Sequence, residues 1–175
     1  MNWTRQNTRA LIEAAADVPC ITRGAVKVIR RHYAEDGLVE RMAAFEDFCD
    51  RTNGRPSVWG ESDCTLRVAD WVAENGYPDP AAVWRGTYET EAECRALLVA
   101  RGGLIGHVQA CASDIGLKPI YEPEFGCIAV VGAGCNSDRQ WSAIWNGARW
   151  LVLWGNEQAA HWTPFVAKPL GLWRV

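Results

Sequence analysis

The chain has 175 residues, enough for one ordinary domain with its own core. Its 49% hydrophobic and 22% charged residues exclude an intrinsically disordered chain, and a net charge of −3 is too small for a polyanion-binding surface. No apolar run approaches the roughly 20 residues of a membrane-spanning helix, and the opening Met1-Asn2-Trp3-Thr4-Arg5 lacks the apolar core of a secretory signal, so synthesis and folding in a cytoplasm are expected.

Residues 4–16 and 22–33 are expected to form two short helices joined around Pro19. Leu11, Ile12 and Ala15 mark the apolar face of the first, and Ala25, Val26 and Ile29 that of the second. Residues 1–36 carry six Lys/Arg against four Asp/Glu, while the remainder carries twelve against seventeen. A slightly basic arm on an acidic body suggests a docking segment. Arg23, Lys27, Arg30 and Arg31 form a basic face that is either solvated or set against an acidic protein partner; no aromatic interleaving points to nucleic acid.

A third helix is expected over 38–52, where Leu38, Met42, Phe45 and Cys49 make a buried stripe. Asn53-Gly54-Arg55-Pro56 stops it. Ser62 or Asp63 then caps a helix whose inner face carries Cys64, Val68, Trp71 and Val72, and Asn75-Gly76-Tyr77-Pro78 ends it. Thr90 and Glu93 are a capping-box pattern opening a helix to about Arg101. After Gly102-Gly103 a further helix covers 104–115, with Leu104, Val108, Cys111 and Ile115 on one side and His107 on the polar surface.

The pattern then changes to strands at 126–132, 139–146, 148–155 and 170–175, with Asn146-Gly147 as a hairpin turn. Between 140 and 155 the only charged residue is Arg149, so this hairpin is expected to be covered on both faces. Helices first and a small antiparallel sheet second imply an α+β fold: an N-terminal helical extension, 1–37, and one domain, 38–175. Ten tryptophans, six of them after residue 140, build either a thick core or a sticky interface. The seven cysteines include no Cys-x-x-Cys pair and are expected to be free, mostly buried thiols.

Two soft signals are set aside. Gly132-Ala133-Gly134 follows a strand without the helix and acidic residue of a dinucleotide site, so no cofactor is expected. His107 and Cys111, with Cys94 or Cys127 as further ligands, suggest zinc only if they share a face. Cys111 belongs to the apolar stripe and His107 does not, so no metal is expected.

Cys64 is the candidate nucleophile. A cysteine in the first turn of a helix meets partial positive charge and free N–H donors, which favour thiolate. Around it, Trp59-Gly60-x-x-Asp63-Cys64, Ala69-Asp70, the Gly-Tyr-Pro-Asp-Pro turn at 76–80, Gly86-x-Tyr88, Gly102-Gly103 and the closing Leu172-Trp173-Arg174-Val175 occur in order. These words resemble a family of phage and prophage proteins of unknown function related to the NlpC-type cell-wall cysteine peptidases. The resemblance covers about 40–175 and implies a papain-like NlpC-type domain with Cys64 as nucleophile. It matches Gly126-Cys127 to the start of the first strand, with Cys127 in place of an aspartate. It also places Trp141 where those peptidases carry the catalytic histidine. Indole accepts no proton and cannot be a general base. His32 lies in the extension and His107 on the surface, which leaves His161 as the one candidate base, with Asp63 as helix cap or orienting residue.

Two roles follow from the resemblance. The first is a phage tail-tip, baseplate-hub or tail-assembly protein with a degenerate peptidase fold, located in the virion and partnered by other tail proteins. The alternative is an active cysteine amidase that cuts peptidoglycan stem peptides during genome delivery.

Overall fold

A computed structural model describes residues 37–132 and 139–175. The expected helices over 4–16 and 22–33, the basic face, His32, Cys20, Cys135 and most of the Gly132–Gly134 turn lie outside the described residues. The chain divides into two compact units, Met1–Arg51 and Thr52–Val175. In the first, helix α1 (Leu38–Thr52) buries Phe45 and Phe48, and Arg51 pairs with Asp47 one turn back at 2.7 Å.

In the second unit, α2 (Cys64–Glu74), α3 (Glu91–Val99) and α4 (Gly103–Asp114) precede a five-stranded antiparallel sheet. The strands are β1 (Ile128–Gly132), β2 (Gln140–Trp145), β3 (Trp150–Gly155), β4 (Ala160–Phe165) and β5 (Pro169–Trp173), in the spatial order β4-β3-β2-β1-β5. The fold of the described residues is thus α+β, helices first.

Local chemistry sets the element ends. Thr90 and Glu93 form the reciprocal capping box at the start of α3, each side chain accepting from the other's backbone N–H. Asn146 Oδ1 accepts from the amides of Ala148 and Arg149 while Gly147 takes φ 92°, which turns β2 into β3. One strand was missed by the periodicity. Ala160-His161-Trp162-Thr163-Pro164-Phe165 carries a proline and no clean alternation, yet it pairs along all of β3. Proline is tolerated because β4 is an edge strand with no further ladder to feed.

Strand pairing separates two faces. Cys127, Ala129, Val131, Ala143, Trp150, Val152 and Leu172 are buried together, with Trp141, Trp145 and Phe165 packed against them. Ile128, Val130, Ser142 and Ile144 alternate with these and lie on the other face, which receives α2. Ser142, Ala143 and Ile144 are consecutive and all buried, so β2 is covered on both faces, as the near-absence of charge implied.

An ion-pair clamp ties the loop after α2 back onto the helix. Arg85 donates from Nε to Asp79 and from Nη2 to Asp70, both at 2.7 Å. Asp79 also accepts from the Ala81 amide. Burial pushes the Asp79 pKa up, but the bonds from Arg85 and Ala81 outweigh it and hold the carboxyl below its ordinary range. Asp79→Asn is therefore expected to cost about 1–2 kcal/mol in urea unfolding at pH 7. A depressed carboxylate stabilises above its unfolded pKa and loses that advantage as pH falls. The gap between wild type and D79N should accordingly close below about pH 4.

Candidate functional site

The start of α2 is organised by one carboxylate. Asp63, 3% exposed, is the N-cap of the helix. Its Oδ1 accepts from the amides of Thr65 and Leu66 at 3.0 and 3.1 Å. Its Oδ2 accepts from the Gly60 amide at 3.1 Å and from the Tyr88 hydroxyl at 2.6 Å. A buried carboxylate with four donors is fully satisfied. Gly60 adopts φ 71°, and a Cβ there would lie 1.9 Å from the Tyr88 carbonyl oxygen. The Gly60 carbonyl in turn accepts from the Gly86 amide at 2.8 Å. Gly60, Asp63, Gly86 and Tyr88 are therefore parts of one hydrogen-bonded knot.

Cys64 sits beside this knot, half-buried, with Sγ 4.0 Å from the Thr65 hydroxyl. Burial first, and then the Asp63 carboxylate, push its thiol up to about 12. Burial, and the capping carboxylate at the positive end of the helix, thus oppose the gain expected from the helix start. Thr65 reaches onward to Ser142 on β2, with 3.0 Å between the hydroxyls. The polar line from Cys64 into the sheet is thus Cys64, Thr65, Ser142.

Trp141 is one residue from the strand position that faces α2. Successive side chains alternate across a strand. Ser142 takes the α2 side, and Trp141 packs on the opposite face against Trp154 and Phe165, with ring centroids 5.9 and 6.4 Å apart. Indole does not fill the space beside Cys64.

His161 is not brought to Cys64 either. It is exposed on β4 and pairs directly with Trp154. Directly paired residues share a face, and Trp154 packs against Trp141 on the side away from α2. The sheet therefore lies between His161 and Cys64. The imidazole instead borders Gly54, where a Cβ would come 3.5 Å from Cε1.

His107 is a correction in the other direction. It is 7% exposed, not a surface residue, and its ring meets Trp84 edge-on with centroids 5.1 Å apart. It also shares a site with Cys111: Nε2 lies 3.9 Å from Sγ. Helix α4 is buried over a wider arc than its aliphatic residues mark, because Trp84 covers the flank that carries His107. Among the described residues no group of three or more His, Cys, Asp or Glu could hold a metal ion. The five described cysteines are free thiols, with Cys127 fully buried.

The side-chain oxygens of Ser62 and Asp63 signalled a cap at one or the other, and Asp63 is the one that serves. They did not reveal Tyr88 as the fourth donor to Asp63, 25 residues away, nor Ser142 as the hydroxyl opposite the helix start.

Residues 38–175 match the model of a family described as a domain of unknown function (DUF6950). Comparison with curated proteins finds no match, and comparison with solved structures finds none.

Removing the phenolic donor leaves a buried carboxylate oxygen short of one partner. Tyr88→Phe is expected to cost about 1–3 kcal/mol in chemical denaturation. Gly60→Ala combines positive φ with a backbone clash and should cost more than Tyr88→Phe in the same assay.

Proposed function

We propose that this chain, which belongs to the DUF6950 family, is a structural or assembly protein of a phage or prophage-derived tail, built on an NlpC-like, papain-type domain without peptidase activity. The observation that carries the inactive reading is the partner of the helix start. Across from Cys64 and Thr65 stands the buried Ser142 hydroxyl, where a cysteine peptidase needs an imidazole. A hydroxyl has no basicity near neutral pH with which to remove the thiol proton. The high thiol pKa and the full occupation of Asp63 by four donors support the same reading. Catalysis with His161 as base would require that side chain to pass the sheet.

The tail assignment is supported by the ordered words around Cys64 and at the C-terminus, which resemble phage and prophage proteins. On this reading the partners are other tail proteins, at the hub or tip, and residues 1–37 dock on one of them. Among the described residues no helix is long and apolar enough to cross a membrane.

Cys64→Ala is expected to leave particle yield and infectivity at the wild-type level, while deletion of residues 1–35 removes the protein from particles. Assembly of normal virions without that segment ends the docking part. Iodoacetamide should label Cys64 at pH 7.5 far more slowly than a free thiol with its ordinary pKa of about 8.5. Rapid labelling together with turnover of purified peptidoglycan would overturn the inactive reading.

The raised thiol also predicts a pH effect. A group whose folded pKa lies above its unfolded value stabilises below the unfolded value and loses that contribution as pH rises toward the folded one. Wild type should lose stability between about pH 9 and 12. Cys64→Ala should flatten part of that loss in denaturation curves taken across the range.

A further inference from the structure

A cavity of about 50 Å³ lies between α2, α4, the segment around residues 80–88 and the α2-facing side of β1 and β2. Its walls are mainly apolar, with Leu66, Val72, Trp84, Val108, Leu117 and Ile128 prominent. Thr65 and Ser142 form one polar spot, already hydrogen-bonded to each other, and His107 with Cys111 forms a second. No Asp, Glu, Lys or Arg lines it.

His107 is more than nine-tenths buried, and its Nδ1 has no hydrogen-bond partner. Burial first, and then the nearby Arg101 charge, lower its pKa, with Asp63 a smaller opposing influence, so the ring is neutral at pH 7. A buried imidazole nitrogen without a partner is costly. Its persistence marks hydrogen-bonding capacity that the folded chain leaves unused.

Water is a poor occupant. A water-sized group takes roughly 10–15 Å³ of such space, so the cavity accommodates about four of them, and each ordered water needs two to four polar partners. Two polar spots leave most of those bonds to be made between the waters themselves, against an apolar wall.

We infer that this cavity binds a small neutral molecule with a short aliphatic body and one hydroxyl group, the hydroxyl at the His107–Cys111 end and the body along the apolar wall. The uncharged lining selects a neutral guest, because an ion there would lose its hydration without gaining a counter-charge. A hydroxyl both donates and accepts, so it satisfies His107 whichever nitrogen carries the proton. This site shares Thr65 and Ser142 with the start of α2, but it does not depend on the tail assignment.

The test titrates the full chain with 1-propanol, following the His107 ring-proton and Trp84 indole N–H resonances, with propanoate at pH 7 as the charged control. The expected result is a saturable shift at His107, half-complete at roughly 10–100 mM, with propanoate at least tenfold weaker. Val108→Trp should fill the cavity and abolish the response while the far-ultraviolet spectrum stays native. Should that variant fail to fold, His107→Phe keeps the bulk of the ring and should weaken 1-propanol binding, read at Trp84, at least fivefold. A linear, unsaturable response, equal binding of propanoate, or unchanged affinity in the folded variants would overturn the proposal.

Discussion

Four hydrogen bonds to the Asp63 carboxylate are the constraint on which the rest of the domain depends. Two come from the first turn of α2, one from the Gly60 amide and one from the Tyr88 hydroxyl. The same side chain thereby starts the helix, fixes the turn before it and anchors the loop after it. Because the group is buried, each missing donor would cost more than the corresponding bond contributes at a surface. The Arg85 clamp between Asp70 and Asp79 holds the far end of that loop to the same helix. The loop between α2 and α3 is thus pinned at two points, and the walls of the cavity inherit their position from it.

That arrangement sets the surroundings of Cys64. An N-terminal dipole lowers a thiol pKa when the helix end is otherwise uncompensated. Here a carboxylate occupies the end, and the sulfur is withdrawn from water. Burial and the charge that caps α2 both favour the neutral thiol at its first residue.

The sheet divides the molecule's chemistry by parity. On the side of α2 lie the Thr65–Ser142 pair and the apolar cavity with His107 and Cys111. On the other side lie Trp141, Trp154 and Phe165, with Trp154 half-exposed and His161 beside it. A shift of one residue along β2 exchanges the two sets. Trp141 and Ser142 are neighbours in sequence and belong to different surfaces.

What the sequence by itself determined was whatever depends on neighbours within a few residues. Asp63 as a cap, the Thr90–Glu93 box, the Asn146-Gly147 turn and the order of helices before strands were all legible, because capping and turn formation are contests between a side chain and its own adjacent backbone. Only the tertiary structure decided which face each residue presents and to whom. His107 looked polar on its helix and is buried because Trp84, from a distant loop, covers it. Strand β4 forms without a periodic signal because β3 supplies its hydrogen bonds. His161 stands apart from Cys64 because strand pairing turns it to the opposite side of the sheet. Local propensity carries no information about any of these, since each is set by a partner outside the residue's own helix or strand.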